Sequence, residues 1–265
     1  MHISESIVLG IVQGLTEFLP ISSTAHLVLT EAILNIKLES IRFEVFVHLG
    51  TFFSVVIVFR KEIWKLAKSL RGLFRTVDSE SEEYLKLLGL LLVGSVPAAL
   101  IGVLLDEYVE KAFSSSVFVS LMLILTGIFL WSTKFSRVQK NRLSFVDAVV
   151  VGLAQSLALV PGISRSGFTI GTALLRGVDR GKSAEFSFLL SLPAILGASA
   201  LKLKETLEGD PTSHEIIVYL MGALVAFLCG YIAIKFLLDV LRKGKFQNFA
   251  YYCLGIGILS LIFLR

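Results

Sequence analysis

The chain is poor in the residues that staple or punctuate a soluble domain. It has two cysteines and five prolines in 265 residues, and only 17% of its side chains are charged. Cys229 and Cys253 both fall inside apolar runs and read as inert core thiols, so cysteine usage says nothing of the redox compartment. No Lys or Arg precedes the first apolar stretch, which itself carries Glu5, Gln13 and Glu17. A cleavable signal peptide needs a basic start and an uninterrupted apolar core, so that segment is expected to stay with the chain. The net charge of +4 is too modest to call for nucleic acid as a partner, and its distribution matters more than its size.

What the chain has in plenty is apolar sequence: 55% of it is hydrophobic and the mean hydropathy is +0.80. Long apolar runs recur at Val45–Phe59, Leu85–Leu105, Val117–Trp131, Phe186–Leu201, Ile216–Leu238 and Phe249–Leu264. Each approaches the ~20 residues that cross a bilayer as a helix. The fold class is therefore an all-α polytopic membrane protein.

Positive charge marks cytoplasmic loops. Basic residues crowd 60–75 (Arg60, Lys61, Lys65, Lys68, Arg71, Arg75), 133–142 (Lys134, Arg137, Lys140, Arg142), 176–182 and 242–245, whereas 106–111 and 202–215 are acidic. Counting crossings from these anchors leaves 144–177 with both ends inside, so it must enter and leave by one face. Segment 3–36 has the same character, two short apolar arms around a polar, Pro-containing centre. The expected architecture is six transmembrane helices plus two re-entrant helical hairpins, one from each face.

The hairpins resemble each other. Gly10, Gln13 and Ser22 recur at the spacing of Gly152, Gln155 and Ser164, and Ile21-Ser22-Ser23-Thr24 parallels Ile163-Ser164-Arg165-Ser166. Three crossings follow each hairpin, and an odd number inverts the second copy. The expectation is one integral membrane domain, 1–265, built as an inverted-topology repeat with halves at about 1–132 and 144–265. Such folds place their site near the midplane, where broken helices meet.

Both hairpin centres carry groups that are costly at bilayer depth, roughly 2.5–3.5 kcal/mol for a charged side chain on insertion scales. Arg165 keeps its charge and offers forked donors suited to phosphate or carboxylate; its bland alternative is an ion pair with Glu17. Ser164, Ser166 and Thr169 add hydroxyls beside it. Glu17 suits a divalent cation, a general base or the Arg165 pair, and Gln13, one turn earlier, can lend an amide oxygen. Ser22 and Thr24 suit helix capping or phosphate contact. Ser23 and His26 could form a nucleophile–base pair, or His26 could itself attack. Glu44, His48 and Glu185 sit near span ends, where interfacial or helix-contact roles suffice. Lys235 reads as snorkelling, and His2 and His214 as exposed.

These motifs resemble the bacitracin-resistance-type undecaprenyl-diphosphate phosphatase family. The first family motif is matched by Gln13 and Glu17 running into Pro20-Ile-Ser22-Ser23-Thr24 and His26. The second is matched from Pro161 to Thr169, and Ala184–Leu190 is similar too. Gln13 stands where many members have Glu, which puts a two-acid metal site in doubt, and Ala25 replaces a frequent Gly. The resemblance spans essentially the whole chain. It implies hydrolysis of a long-chain polyprenyl diphosphate to the monophosphate and inorganic phosphate, recycling the lipid carrier for cell-wall polymers. It also implies a divalent cation (Mg²⁺ or Ca²⁺) and a site facing the outer side of the bacterial cytoplasmic membrane. The nucleophile stays open among Ser23, His26 and water, and so does the oligomeric state, a homodimer included. An inverted repeat would equally suit transport of the lipid phosphate, with or without hydrolysis. A lipid phosphatase of the Pro-Ser-Gly-His type is disfavoured, because that motif is absent.

Overall fold

The computed structural model describes the chain except residues 35–40, 73–78, 114, 208–211 and 264–265. Arg75, Glu208 and Asp210 of the charge pattern lie outside the described residues. The described part is almost wholly helical and has no strand, only one isolated bridge between Lys140 and Val178. Among the described residues, five helices are long and apolar enough to cross a membrane, or six when a bent pair is taken as one span.

In chain order, α1 (Ile3–Phe18) and α2 (Ser23–Leu34) form a hairpin, followed by α3 (Ile41–Val58) and α4 (Arg60–Gly72). The next elements are α5 (Ser79–Phe113) and α6 (Ser116–Ser132). A second hairpin, α7 (Phe145–Leu157) and α8 (Arg165–Leu175), precedes α9 (Arg180–Leu207), α10 (Ser213–Arg242) and α11 (Phe249–Phe263).

The helices follow the apolar runs but outlast them. The stretches at 106–113 and 202–207, expected as acidic loops, continue α5 and α9. The basic segment after α3 also departs from expectation. It folds as helix α4, turned 79° from α3, and Lys65 ties it to Glu80 of α5 at 2.8 Å.

Both hairpins break where helix geometry fails. α1 ends as Leu19 turns extended, with Pro20 next, and Ser22 then adopts φ 66°. α7 ends ahead of Pro161, and Gly162 takes φ 96°, which a Cβ would resist. The new helix restarts on a cap: the Ser164 hydroxyl accepts from the Gly167 amide at 3.1 Å.

Small residues let the hairpins sink into the bundle. α1 packs on α10, and a Cβ on Gly10 would lie 2.6 Å from the Gly222 carbonyl oxygen. α7 packs on α5, and a Cβ on Gly152 would lie 2.4 Å from the Gly94 carbonyl oxygen. Backbone contact through small residues is how helices associate in lipid, where apolar burial gives little drive. Phe18 is fully buried just before the first break and meets Phe188 of α9 edge-on at 5.8 Å. At the base of the second hairpin, buried Asp147 accepts from Lys140 at 2.6 Å and from Arg176 at 2.9 Å, and closes a capping box with Ser144. Leu92, Val96, Leu100 and Val103 stay exposed along α5, as a lipid-facing helix requires.

Candidate active site

The two hairpin breaks meet. The Gly162 amide donates to the Thr24 hydroxyl at 3.3 Å, and the Ser166 hydroxyl donates to the Leu19 carbonyl at 3.0 Å. Each half thus satisfies backbone groups that the other half's broken helix frees. Thr126 of α6 braces the second break, donating to the Gly162 carbonyl and accepting from the Ser164 amide.

Glu17 is the hub. One carboxylate oxygen accepts from Arg165 at 2.6 Å. The other accepts from the Ser23 hydroxyl at 2.6 Å and from the Gln13 amide at 3.1 Å. His48 of α3 brings its Nε2 within 3.9 Å of that same oxygen. The Glu17 side chain is 7% exposed and that of Arg165 18%, so the pair is nearly out of solvent yet open on one side. Arg165 has five N–H donors, one of which bonds Glu17.

His26 does not contact Ser23 in the way a nucleophile–base pair requires. Its Nδ1 lies 2.8 Å from the Ser22 carbonyl and its Nε2 lies 2.9 Å from the Tyr252 hydroxyl. Ser23 is instead bonded to the carboxylate. Ser22 caps the Ala25 amide and pairs with the Thr24 hydroxyl.

The other expected anion contacts are employed within the fold. Ser164 caps α8, Ser166 holds Leu19, and the Thr169 hydroxyl donates to the Arg165 carbonyl at 2.8 Å and meets the Ser187 hydroxyl at 2.6 Å. All three are buried. Of the weaker candidates, Glu185 pairs with Lys182 away from the hub. Tyr252 and Thr126 are the neighbours that sequence reasoning missed, and His48, expected in an interfacial or helix-contact role, lies 3.9 Å from the Glu17 carboxylate.

Residues 6–259 match the family described as bacitracin resistance protein BacA. The chain belongs to that family. An undecaprenyl-diphosphatase of Desulforapulum autotrophicum is 41% identical over 99% of this chain and 98% of its own length. One from Korarchaeum cryptofilum is 44% identical over 99% of this chain and 100% of its own length. One from Halothermothrix orenii is 42% identical over 99% and 98%. Membership and the long apolar helices together point to a multi-pass membrane protein.

A divalent cation fits this BacA-type site in part. The Gln13 Oε1 atom is buried without a hydrogen-bond partner, and it belongs to the side chain that touches Glu17. Both groups offer the hard oxygen ligands that Mg²⁺ and Ca²⁺ take. Among the described residues no cluster of three His, Cys, Asp or Glu side chains is arranged to hold a metal. A cation here would draw its remaining ligands from phosphate oxygens and water.

Proposed function

We propose that the chain hydrolyses undecaprenyl diphosphate to the monophosphate and inorganic phosphate, and that the junction of the hairpins is where it does so. The observation that carries this is the linked set Ser23–Glu17–Arg165: a hydroxyl, a carboxylate aimed at it and a guanidinium, joined by two 2.6 Å bonds. Nucleophile, base and anion holder are the three parts that phosphoryl transfer needs. The names of the relatives support the same substrate.

Ser23 is the nucleophile. Both His26 nitrogens are engaged elsewhere, whereas Glu17 is placed to take the Ser23 proton. As Oγ bonds to the terminal phosphorus, the bridging P–O bond breaks and the lipid monophosphate leaves. Arg165 offsets charge on the phosphoryl oxygens in a site with little water. Glu17 loses its proton to solvent, takes one from an incoming water whose oxygen bonds to phosphorus, and passes it to Ser23 Oγ as the Ser23–phosphorus bond breaks. Inorganic phosphate is released. Hydroxyls of Ser22, Thr24, Ser164, Ser166 and Thr169 hold the two breaks in shape through the bonds described above. A divalent cation at Gln13 and Glu17 would supply further charge compensation for the diphosphate.

Part of the packing supports an inverted repeat with halves 1–132 and 144–265. Exchanging α1 with α7 and α5 with α10 turns the α1–α10 contact into the α7–α5 contact, and α6–α11 maps onto itself. One hairpin then enters from each face, and the charge asymmetry of the loops opens the first to the outer side of the cytoplasmic membrane.

The direct test is phosphate release from undecaprenyl diphosphate by detergent-purified protein, with and without chelator, for wild type and Arg165→Ala. Cation-dependent release that Arg165→Ala abolishes is expected. No release by folded wild type with any divalent cation would sink the proposal.

A further inference from the structure

The strained turn that presents Ser23 is held from the far end of the chain. Ser22 is the one non-glycine residue with positive φ among the described residues, at 66°. An L residue resists that conformation unless its surroundings over-determine it. The residue after it is Ser23, bonded to Glu17.

Two consecutive residues of α11 grip this turn. The Cys253 thiol lies 3.5 Å from the Pro20 carbonyl, on the entry side. The Tyr252 hydroxyl lies 2.9 Å from His26 Nε2, on the exit side, with the two rings stacked at 5.6 Å and 10°. His26 passes the contact on. Its Nδ1 is 2.8 Å from the Ser22 carbonyl, and its own amide donates to that carbonyl at 3.3 Å.

A carbonyl can only accept, so Nδ1 carries the proton of the neutral ring. Nε2 is then the acceptor, and the Tyr252 hydroxyl is its donor. The bond made at one ring nitrogen sets which tautomer the other presents. We propose that Tyr252 is a positioning residue: its hydroxyl locks His26 in the Nδ1–H tautomer, and His26 in turn fixes the Ser22 carbonyl and the left-handed turn that aims Ser23 at Glu17. The proposal rests on the Ser23 reading above for its kinetic consequence, though not for the tautomer. Tyr252 is 43% exposed, so Tyr252→Phe removes one hydrogen bond without opening a core.

The test is ¹⁵N NMR of histidine-labelled protein in micelles, with the His26 signals identified by their loss in His26→Gln, alongside steady-state kinetics with undecaprenyl diphosphate. Wild type should show His26 protonated at Nδ1, with an Nε2 signal shifted by an accepted hydrogen bond. In Tyr252→Phe that signal should move and kcat should fall on the order of 10-fold, as outer hydrogen-bond partners commonly cost. KM and melting temperature should hold. A wild-type His26 protonated at Nε2 alone overturns the proposal. So does Tyr252→Phe with wild-type kcat, or with reduced kcat and an unmoved His26 spectrum. If wild type releases no phosphate, the enzymatic reading fails while the wild-type tautomer still decides the Tyr252–His26 lock.

Discussion

The Ser23 hydroxyl donates to Glu17 at 2.6 Å across the break between α1 and α2. A serine bonded to a buried carboxylate has its proton acceptor in place before substrate arrives. Glu17→Gln should therefore lower kcat by about 10²–10⁴-fold, the span that general-base loss commonly produces. Steady-state phosphate release checks it, and a variant within a factor of two of wild type would remove Glu17 from the base role.

Arg165 should separate stability from activity. Removing it leaves Glu17 buried and unpaired, and breaking a buried pair costs about 3–5 kcal/mol. Both Arg165→Ala and Arg165→Lys should be inactive, because an ammonium lacks the fork. The double variant Glu17→Gln/Arg165→Gln should recover much of the melting temperature lost in Arg165→Ala while remaining inactive. Thermal unfolding in detergent and phosphate release together check this.

Gln13 should tune the cation. Its Oε1 atom is buried without a partner one helical turn from Glu17. Gln13→Glu adds a second carboxylate where one amide oxygen stands. The Mg²⁺ concentration giving half-maximal phosphate release should fall, since ligand charge raises affinity for hard cations. An unchanged or higher requirement would place the cation elsewhere.

Much of this was legible in the sequence, for physical reasons. Apolar runs of membrane length located the long apolar helices, because the bilayer sets that length. Arg165 and Glu17 stood out because charge at that depth needs a reason, and the structure joins them. α4 was hidden, since a segment dense in Lys and Arg reads as a loop until its tie to α5 through Lys65 and Glu80 is seen. His48 reaches Glu17 from α3 and Tyr252 reaches His26 from α11, and helix-to-helix proximity over such sequence distances leaves no local pattern. The employment of Ser166 and Thr169 within the fold was hidden for the same reason, because their partners at Leu19 and Ser187 come from other elements.

Glycine positions offer a test of the packing alone. Gly152→Ala would set a Cβ 2.4 Å from the Gly94 carbonyl, backbone against backbone, so α7 must move off α5. The cost should be about 1–3 kcal/mol, as for other overpacked cores. Gly89→Ala meets nothing within 4 Å and should be neutral or slightly stabilising, since Ala favours helix more than Gly does. Melting temperatures of the two variants check the contrast.

The proposed chemical step is attack of Ser23, aimed by Glu17, on the terminal phosphate. The most direct measurement is acid-quenched single turnover with undecaprenyl diphosphate labelled at its terminal phosphate, followed by mapping of the labelled residue. Transient label on Ser23 is expected, with Ser23→Ala folded, unlabelled and inactive. Phosphate release at the wild-type rate by Ser23→Ala, or label on His26, would contradict it.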